Sequence, residues 1–145
     1  MPKLSDRVQT FTDSVIRRMT RISDEHGAIN LSQGFPDFDP PKPILDALAK
    51  VAYEGPHQYS VTYGAENLRE ALARKASKAM QREIDPETQV VVTCGGTEAM
   101  MGVVMSICNP GDKIMVFSPF YENYSADAIL SGAEPIFIPL VPPTF

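Results

Sequence analysis

Gln89-Val90-Val91-Val92-Thr93-Cys94-Gly95-Gly96-Thr97-Glu98-Ala99 runs from a β-branched stretch through a glycine pair into the start of a helix. A short valine run of this kind suits a strand buried in a parallel sheet. The glycines leave backbone N–H groups open to an approaching anion, and the N-terminus of the next helix adds the positive end of its dipole. Thr97 can cap that helix and donate a hydroxyl hydrogen bond to the same anion. A side chain at Gly96 would obstruct the approach, and would be strained as well if the turn sets a positive φ there. The segment reads either as a phosphate cradle or as an ordinary βα turn that uses glycine for its shape. It lacks the G-x-G-x-x-G spacing of dinucleotide sites, and no lysine follows it as the P-loop requires.

Downstream, Asn109-Pro110-Gly111-Asp112 is a turn, and Lys113-Ile114-Met115-Val116-Phe117 reads as a second strand. A helix is expected over about 122–131, ended by Gly132, before a third strand at about 135–140. The alternation predicts three parallel strands near 89–93, 113–118 and 135–140, joined by right-handed crossovers. Ser118-Pro119-Phe120-Tyr121 falls at the carboxyl end of the second strand, where ligands of open α/β sheets bind. An aromatic ring there can lie flat on a heteroaromatic ligand, or Phe120 and Tyr121 can be core aromatics. Beside a phosphate cradle, a stacking aromatic suits a phosphorylated ring. Gly96 and Tyr121 are then expected on one side of a shared crevice.

Upstream the pattern is helical. Val8, Phe11, Val15, Met19 and Ile22 recur at helical spacing, which predicts one helix capped by Ser5 and stopped by Gly27. Gly34-Phe35-Pro36-Asp37-Phe38-Asp39-Pro40-Pro41 is too proline-rich for regular structure. Pro43 sits where a first-turn proline is tolerated, ahead of Ile44, Leu45, Leu48 and Val51, with Gly55 closing that helix. A further helix over about 65–82 carries the stripe Leu68, Leu72, Ala76 and Met80.

Composition narrows the function classes. The hydrophobic share of 43% and the charged share of 21% are those of a globular protein. A net charge of −5 argues against a nucleic-acid footprint, and the cluster Arg17, Arg18, Arg21 reads as a solvated helix face. The two cysteines, Cys94 and Cys108, lack zinc spacing and read as small buried hydrophobes, so no metal site is expected. Residues 1–21 have no signal-peptide core, and nothing approaches the ~20 apolar residues of a membrane span. These features imply a soluble cytoplasmic protein.

Several segments together resemble class I/II pyridoxal-phosphate-dependent aminotransferases. Asn30-Leu31-Ser32-Gln33-Gly34-Phe35-Pro36-Asp37-Phe38 is similar to the family's N-terminal signature. Gln58-Tyr59-Ser60-Val61-Thr62-Tyr63-Gly64, with Asn67-Leu68-Arg69-Glu70-Ala71-Leu72, resembles its Y-x-x-x-x-G…LREA segment. Gly95-Gly96-Thr97-Glu98-Ala99, the Asn109 turn and Ser118-Pro119-Phe120-Tyr121 follow in the family's order. The Gly-Phe-Pro-Asp-Phe wording is similar to the branch holding kynurenine, methionine and aromatic aminotransferases.

The resemblance implies an α/β fold. An N-terminal helical segment would lead into the first strands and helices of a mostly parallel sheet that is cut off early. Residues 1–45 would form the N-terminal helix and substrate-side loop, and 46–145 the start of the large cofactor-binding domain. The implied cofactor is pyridoxal 5′-phosphate, with Gly95, Gly96 and Thr97 on its phosphate and Tyr121 stacked on its ring. Tyr59 would reach across a homodimer interface to the partner's cofactor phosphate. Gly34 would offer its N–H to the substrate carboxylate. His26 and His57 match no role in the family and read as surface residues.

The reaction implied is amino transfer from an amino acid to a 2-oxo acid. The family's cofactor-linking lysine and carboxylate-binding arginine come later than residue 145. The six lysines here, at 3, 42, 50, 75, 78 and 113, match none of the family's catalytic surroundings, so no catalytic residue is assigned and the chain alone is expected to be inactive. Three readings stay open at this point. The chain is part of a full aminotransferase, a natural fragment completed by a partner chain, or a stand-alone non-catalytic α/β module binding another phosphate ligand or a protein.

Overall fold

The computed structural model describes residues 3–145, so positions 1 and 2 of the expected N-terminal segment lie outside the described residues. The chain forms two compact units, Phe35–Thr93 and the pair of stretches Met1–Gly34 with Cys94–Phe145.

In the second of these, the expected single N-terminal helix is divided. A 3-10 turn spans Asp6–Val8, and helix α1 spans Val15–Glu25. The division falls at Thr10-Phe11-Thr12-Asp13-Ser14, where polar and β-branched residues favour caps over helix interior. The Ser14 hydroxyl accepts from the Arg17 N–H at 3.5 Å, which caps α1 in place of the expected Ser5. Asp13 pairs with Arg21. Gly27 stops α1 as expected: its N–H reaches Asp24 O at 3.2 Å and the Ala28 N–H reaches Ser23 O at 2.8 Å, the double closure of a Schellman end.

The same unit holds helix α4 (Gly95–Ile107), strand β1 (Lys113–Ser118), helix α5 (Asn123–Leu130) and strand β2 (Glu134–Pro139). β1 and β2 pair in parallel, in register from Lys113↔Glu134 to Ser118↔Pro139. The Asn109–Asp112 turn closes with Asp112 N–H on Asn109 O at 3.0 Å. It meets the end of α5, where Gly111 N–H donates to Gly132 O at 2.9 Å. Val104, Val116, Ala128 and Ala133 are buried between the helices and the sheet, and Phe120 stacks on Phe137 at 5.1 Å. Asp127 is buried with them and its Oδ2 has no hydrogen-bond partner among the described residues; desolvation pushes its carboxyl above the ordinary value.

The other unit carries helices α2 (Lys42–Glu54) and α3 (Glu66–Met80), close to their expected bounds. Pro43 lies in the first turn of α2, and Gly55 ends it at φ +67°. Arg69 of α3 is 3% exposed and organises this unit. Its Nε donates to Gly64 O at 3.0 Å and its Nη1 to Pro86 O at 2.6 Å. The same Nη1 pairs with Glu87 at 2.8 Å, and the guanidinium lies 5.5 Å from the Tyr63 ring centre. Gly64, at φ +110°, admits Val92 so closely that a Cβ would stand 2.5 Å from Val92 Cγ2. That approach lets the Val92 N–H donate to Tyr63 O at 2.9 Å.

The expected strand at 89–93 is not a strand: those residues carry no ladder, and the sheet has two strands among the described residues. A β-branched run sets extended backbone, but a ladder needs a second strand alongside, and 89–93 finds none.

Candidate functional site

Helix α4 starts at Gly95 with Cys94 at the cap position, so Thr97, expected as the cap, is its third residue. Of the glycine pair, Gly95 takes the positive φ, +79°, and Gly96 does not. Gly95, Gly96 and Thr97 are therefore the first three helical residues, at the positive end of the helix dipole. The Cys94 N–H donates to the Glu98 carboxylate, which ties the turn before the helix to its first turn. Cys94 itself is exposed and Cys108 half-buried, so the buried setting expected of Cys94 does not hold. As the residue where extended chain turns into helix, Cys94 faces outward.

Thr97 is fixed from α5. Asn123 Nδ2 donates to Thr97 Oγ1 at 3.0 Å, which leaves the hydroxyl proton of Thr97 for another acceptor. Tyr121, just past β1, meets Tyr124 edge-on at 5.9 Å and 82°, and the residue is 49% exposed. A cleft of about 560 Å³ opens beside these groups. Thr97 lines it from α4, Tyr121 and Glu122 from the loop after β1, and Asn123 from the first residue of α5; Ile16 and Arg17 line it from α1, with the capping Ser14. Ser32, Gln33 and Gly34 complete it from the loop after α1, where the Asn30 carboxamide accepts from the Ser32 N–H at 2.9 Å.

Of the residues singled out from sequence, Gly34, Thr97 and Tyr121 share this cleft. Gly95 and Gly96 occupy the same helical turn as Thr97 without lining it. Tyr59 lies in the other unit, 97% exposed, with its N–H held by its neighbour Gln58 at 3.0 Å. Beyond its chain neighbours and its own helix backbone, a Cβ at Gly34, Gly95 or Gly96 would meet none of the described residues within 4 Å, so the space before each is open. Sequence reading missed Asn123 and Arg17. Asn123 was legible as a polar side chain two residues beyond the exposed aromatic; Arg17 was hidden among three arginines on one helix. Among the described residues, no group of three or more His, Cys, Asp or Glu could hold a metal ion, and no helix is long and apolar enough to cross a membrane.

A helix N-terminus, a hydroxyl donor and an aromatic ring near one cleft are groups able to hold a phosphorylated ring, and comparison with known proteins shows the family of the chain. Residues 26–145 match the family profile "Aminotransferase class I and II", and the chain belongs to that family, which is pyridoxal-phosphate-dependent. A probable N-succinyldiaminopimelate aminotransferase of Mycobacterium tuberculosis is 36% identical over 136 residues, covering 94% of this chain and 34% of the relative. The methionine aminotransferase of Escherichia coli is 36% identical over 132 residues, covering 91% of this chain and 34% of its own. A solved structure of the Escherichia coli protein YbdL, described as having a methionine aminotransferase function, superimposes with a TM-score of 0.89 at 32% identity, over 99% of this chain and 37% of that one. The fold is thus that of the N-terminal third of aminotransferase structures, and the chain spans about a third of the length of the curated relatives it matches.

Proposed function

We propose that this chain is the N-terminal part of an enzyme that transfers an amino group from an amino acid to a 2-oxo acid. The observation that carries the reading is the cleft shared by Gly34, Thr97 and Tyr121. The donor set suits pyridoxal phosphate: N–H groups at a helix N-terminus and a hydroxyl for a dianion, and an exposed aromatic for a pyridine ring. When bound, the cofactor supplies the electron sink that makes amino transfer feasible.

The residues of this chain bind and orient. The amides of Gly95, Gly96 and Thr97, with the Thr97 hydroxyl, hold the phosphate. Asn123 keeps that hydroxyl aimed by donating to its oxygen. Tyr121 stacks on the ring and limits its tilt. Gly34 gives its N–H to the substrate carboxylate, and Tyr59 reaches the phosphate of a partner subunit's cofactor in a homodimer. In this reading residues 1–45 form the N-terminal helix and substrate-side loop, while 46–145 open the cofactor-binding domain. The lysine that links to the cofactor and moves the proton belongs to later sequence, so the 145-residue chain is inactive by itself.

The test is amino transfer by the full-length protein that contains this segment. With pyridoxal phosphate, a panel of amino acids and 2-oxoglutarate, glutamate should form, and omission of the cofactor from the apoprotein should abolish it. A folded protein that forms none with any donor would return the segment to a module for some other phosphate ligand.

A further inference from the structure

We infer that Arg17 is a specificity-determining residue that favours substrates carrying a second carboxylate at the end of the side chain. The inference rests on the amino-transfer reading above and names the substrate class for that same cleft.

Three arginines share α1, and the structure separates them. Arg21 is committed to Asp13, and Arg18 does not line the cleft. Arg17 lines the cleft, and it is the one lysine or arginine among the cleft's lining residues. Among the described residues, no carboxylate lies within 4.0 Å of its guanidinium. Its main chain is held by the Ser14 cap, so the side chain grows from a fixed point in the first turn of α1.

The other lining residues say which anion it meets. The cofactor's phosphate already has the first turn of α4 and the Thr97 hydroxyl. Arg17 instead belongs to the same stretch of chain as Gly34, which faces the substrate in the reading above. Ile16, half-buried beside it in the lining, offers apolar contact to a methylene stem. A planar guanidinium fork matches a terminal carboxylate through two parallel hydrogen bonds. Glu122 also lines the cleft and repels a carboxylate placed near it, which restricts the favourable position to the Arg17 side. A dicarboxylic amino acid or 2-oxo acid therefore fits with its stem on Ile16 and its end on Arg17.

The full-length holoenzyme tests this with Arg17→Met and Arg17→Lys, assayed on glutamate and 2-oxoglutarate against methionine and its 2-oxo acid. Arg17→Met should lower kcat/KM for the dicarboxylic pair by about tenfold or more. The methionine pair should change by less than about threefold, with Arg17→Lys intermediate and pyridoxal-phosphate affinity unchanged. Equal losses on both pairs, unchanged selectivity, or weaker cofactor binding in place of altered selectivity would each overturn the inference. A wild-type enzyme that uses methionine but neither dicarboxylic substrate would overturn it too. Those outcomes leave amino transfer standing; a wild-type protein with no amino transfer at all removes the function reading and this inference together.

Discussion

Gly95 and Gly96 adjoin in the chain but serve different ends. Gly95 adopts φ +79°, a conformation that L side chains rarely take, so its lack of a side chain shapes the backbone. Gly96 is ordinary helical backbone, and beyond that helix's own backbone a Cβ there meets none of the described residues within 4 Å. In the function proposed above, its side-chain position would open onto the cofactor phosphate. Gly96→Val should therefore fold, since valine in a first turn costs less than about 1 kcal/mol relative to alanine. It should also lose measurable pyridoxal-phosphate binding. Thr97→Ala removes one hydroxyl donor to a charged group, worth roughly 1.5–3 kcal/mol, and should weaken cofactor binding by about 10- to 150-fold. Titration of both full-length variants, alongside far-ultraviolet circular dichroism, checks this; wild-type affinity in a folded Gly96→Val protein would leave the turn with a shaping role alone. Sequence made the glycine pair conspicuous but could not divide the two roles, because φ follows from how the preceding chain enters the helix.

Arg69 shows how one side chain joins elements that propensity treats separately. It secures α3 to the turn at Tyr63-Gly64 and to the bend at Pro86-Glu87. In the bend, the Thr88 hydroxyl and then the Glu87 N–H donate to Asp85 and hold its carboxyl below the ordinary value. Replacing Arg69 by methionine keeps much of its length but leaves the Gly64 and Pro86 carbonyls without their donor. Arg69→Met should destabilise the protein by about 2–3 kcal/mol, read as a lower urea midpoint with a selective gain in amide exchange at residues 61–64 and 84–89. An unchanged midpoint would mean that water replaces the guanidinium at no cost. Helices α2 and α3 were legible because stripe, first-turn proline and stop signals agree within a few residues. The start of α1 was misjudged because the apolar spacing from Val8 to Val15 is helical while the intervening polar residues cap a later start. The strand at 89–93 was misjudged for a different reason: valine content predicts extension, and a ladder depends on a neighbour.

Across the whole chain, burial is sparse for its apolar content. Among the described residues the buried hydrophobic side chains are Ala73, Ile84, Val104, Val116, Ala128 and Ala133, and none of the largest kind is fully buried. On α2, Leu48 and Val51 are 68% and 63% exposed, and on β1 Met115 is 72% exposed. So little buried area offsets backbone entropy poorly, at about 25 cal/mol per Å² against about 1–2 kcal/mol per residue. Residues 1–145 produced alone should unfold over a broad denaturant range and bind a hydrophobic dye. Treated with pyridoxal phosphate and borohydride, they should show no lysine labelled stoichiometrically. A sharp cooperative transition, or one lysine fully labelled, would contradict this. Helix stripes, caps, the Asn109–Asp112 turn, both strands of the sheet and the succession of family motifs could be read from the chain alone. These depend on sterics, turn chemistry and spacing that act within a few residues. The pairing partners of the strands, the contact of Asn123 with Thr97 across 26 residues, and the selection of Arg17 from three similar arginines were settled only by the folded chain. Each joins groups remote in sequence, and local preference carries no information about which remote groups will meet.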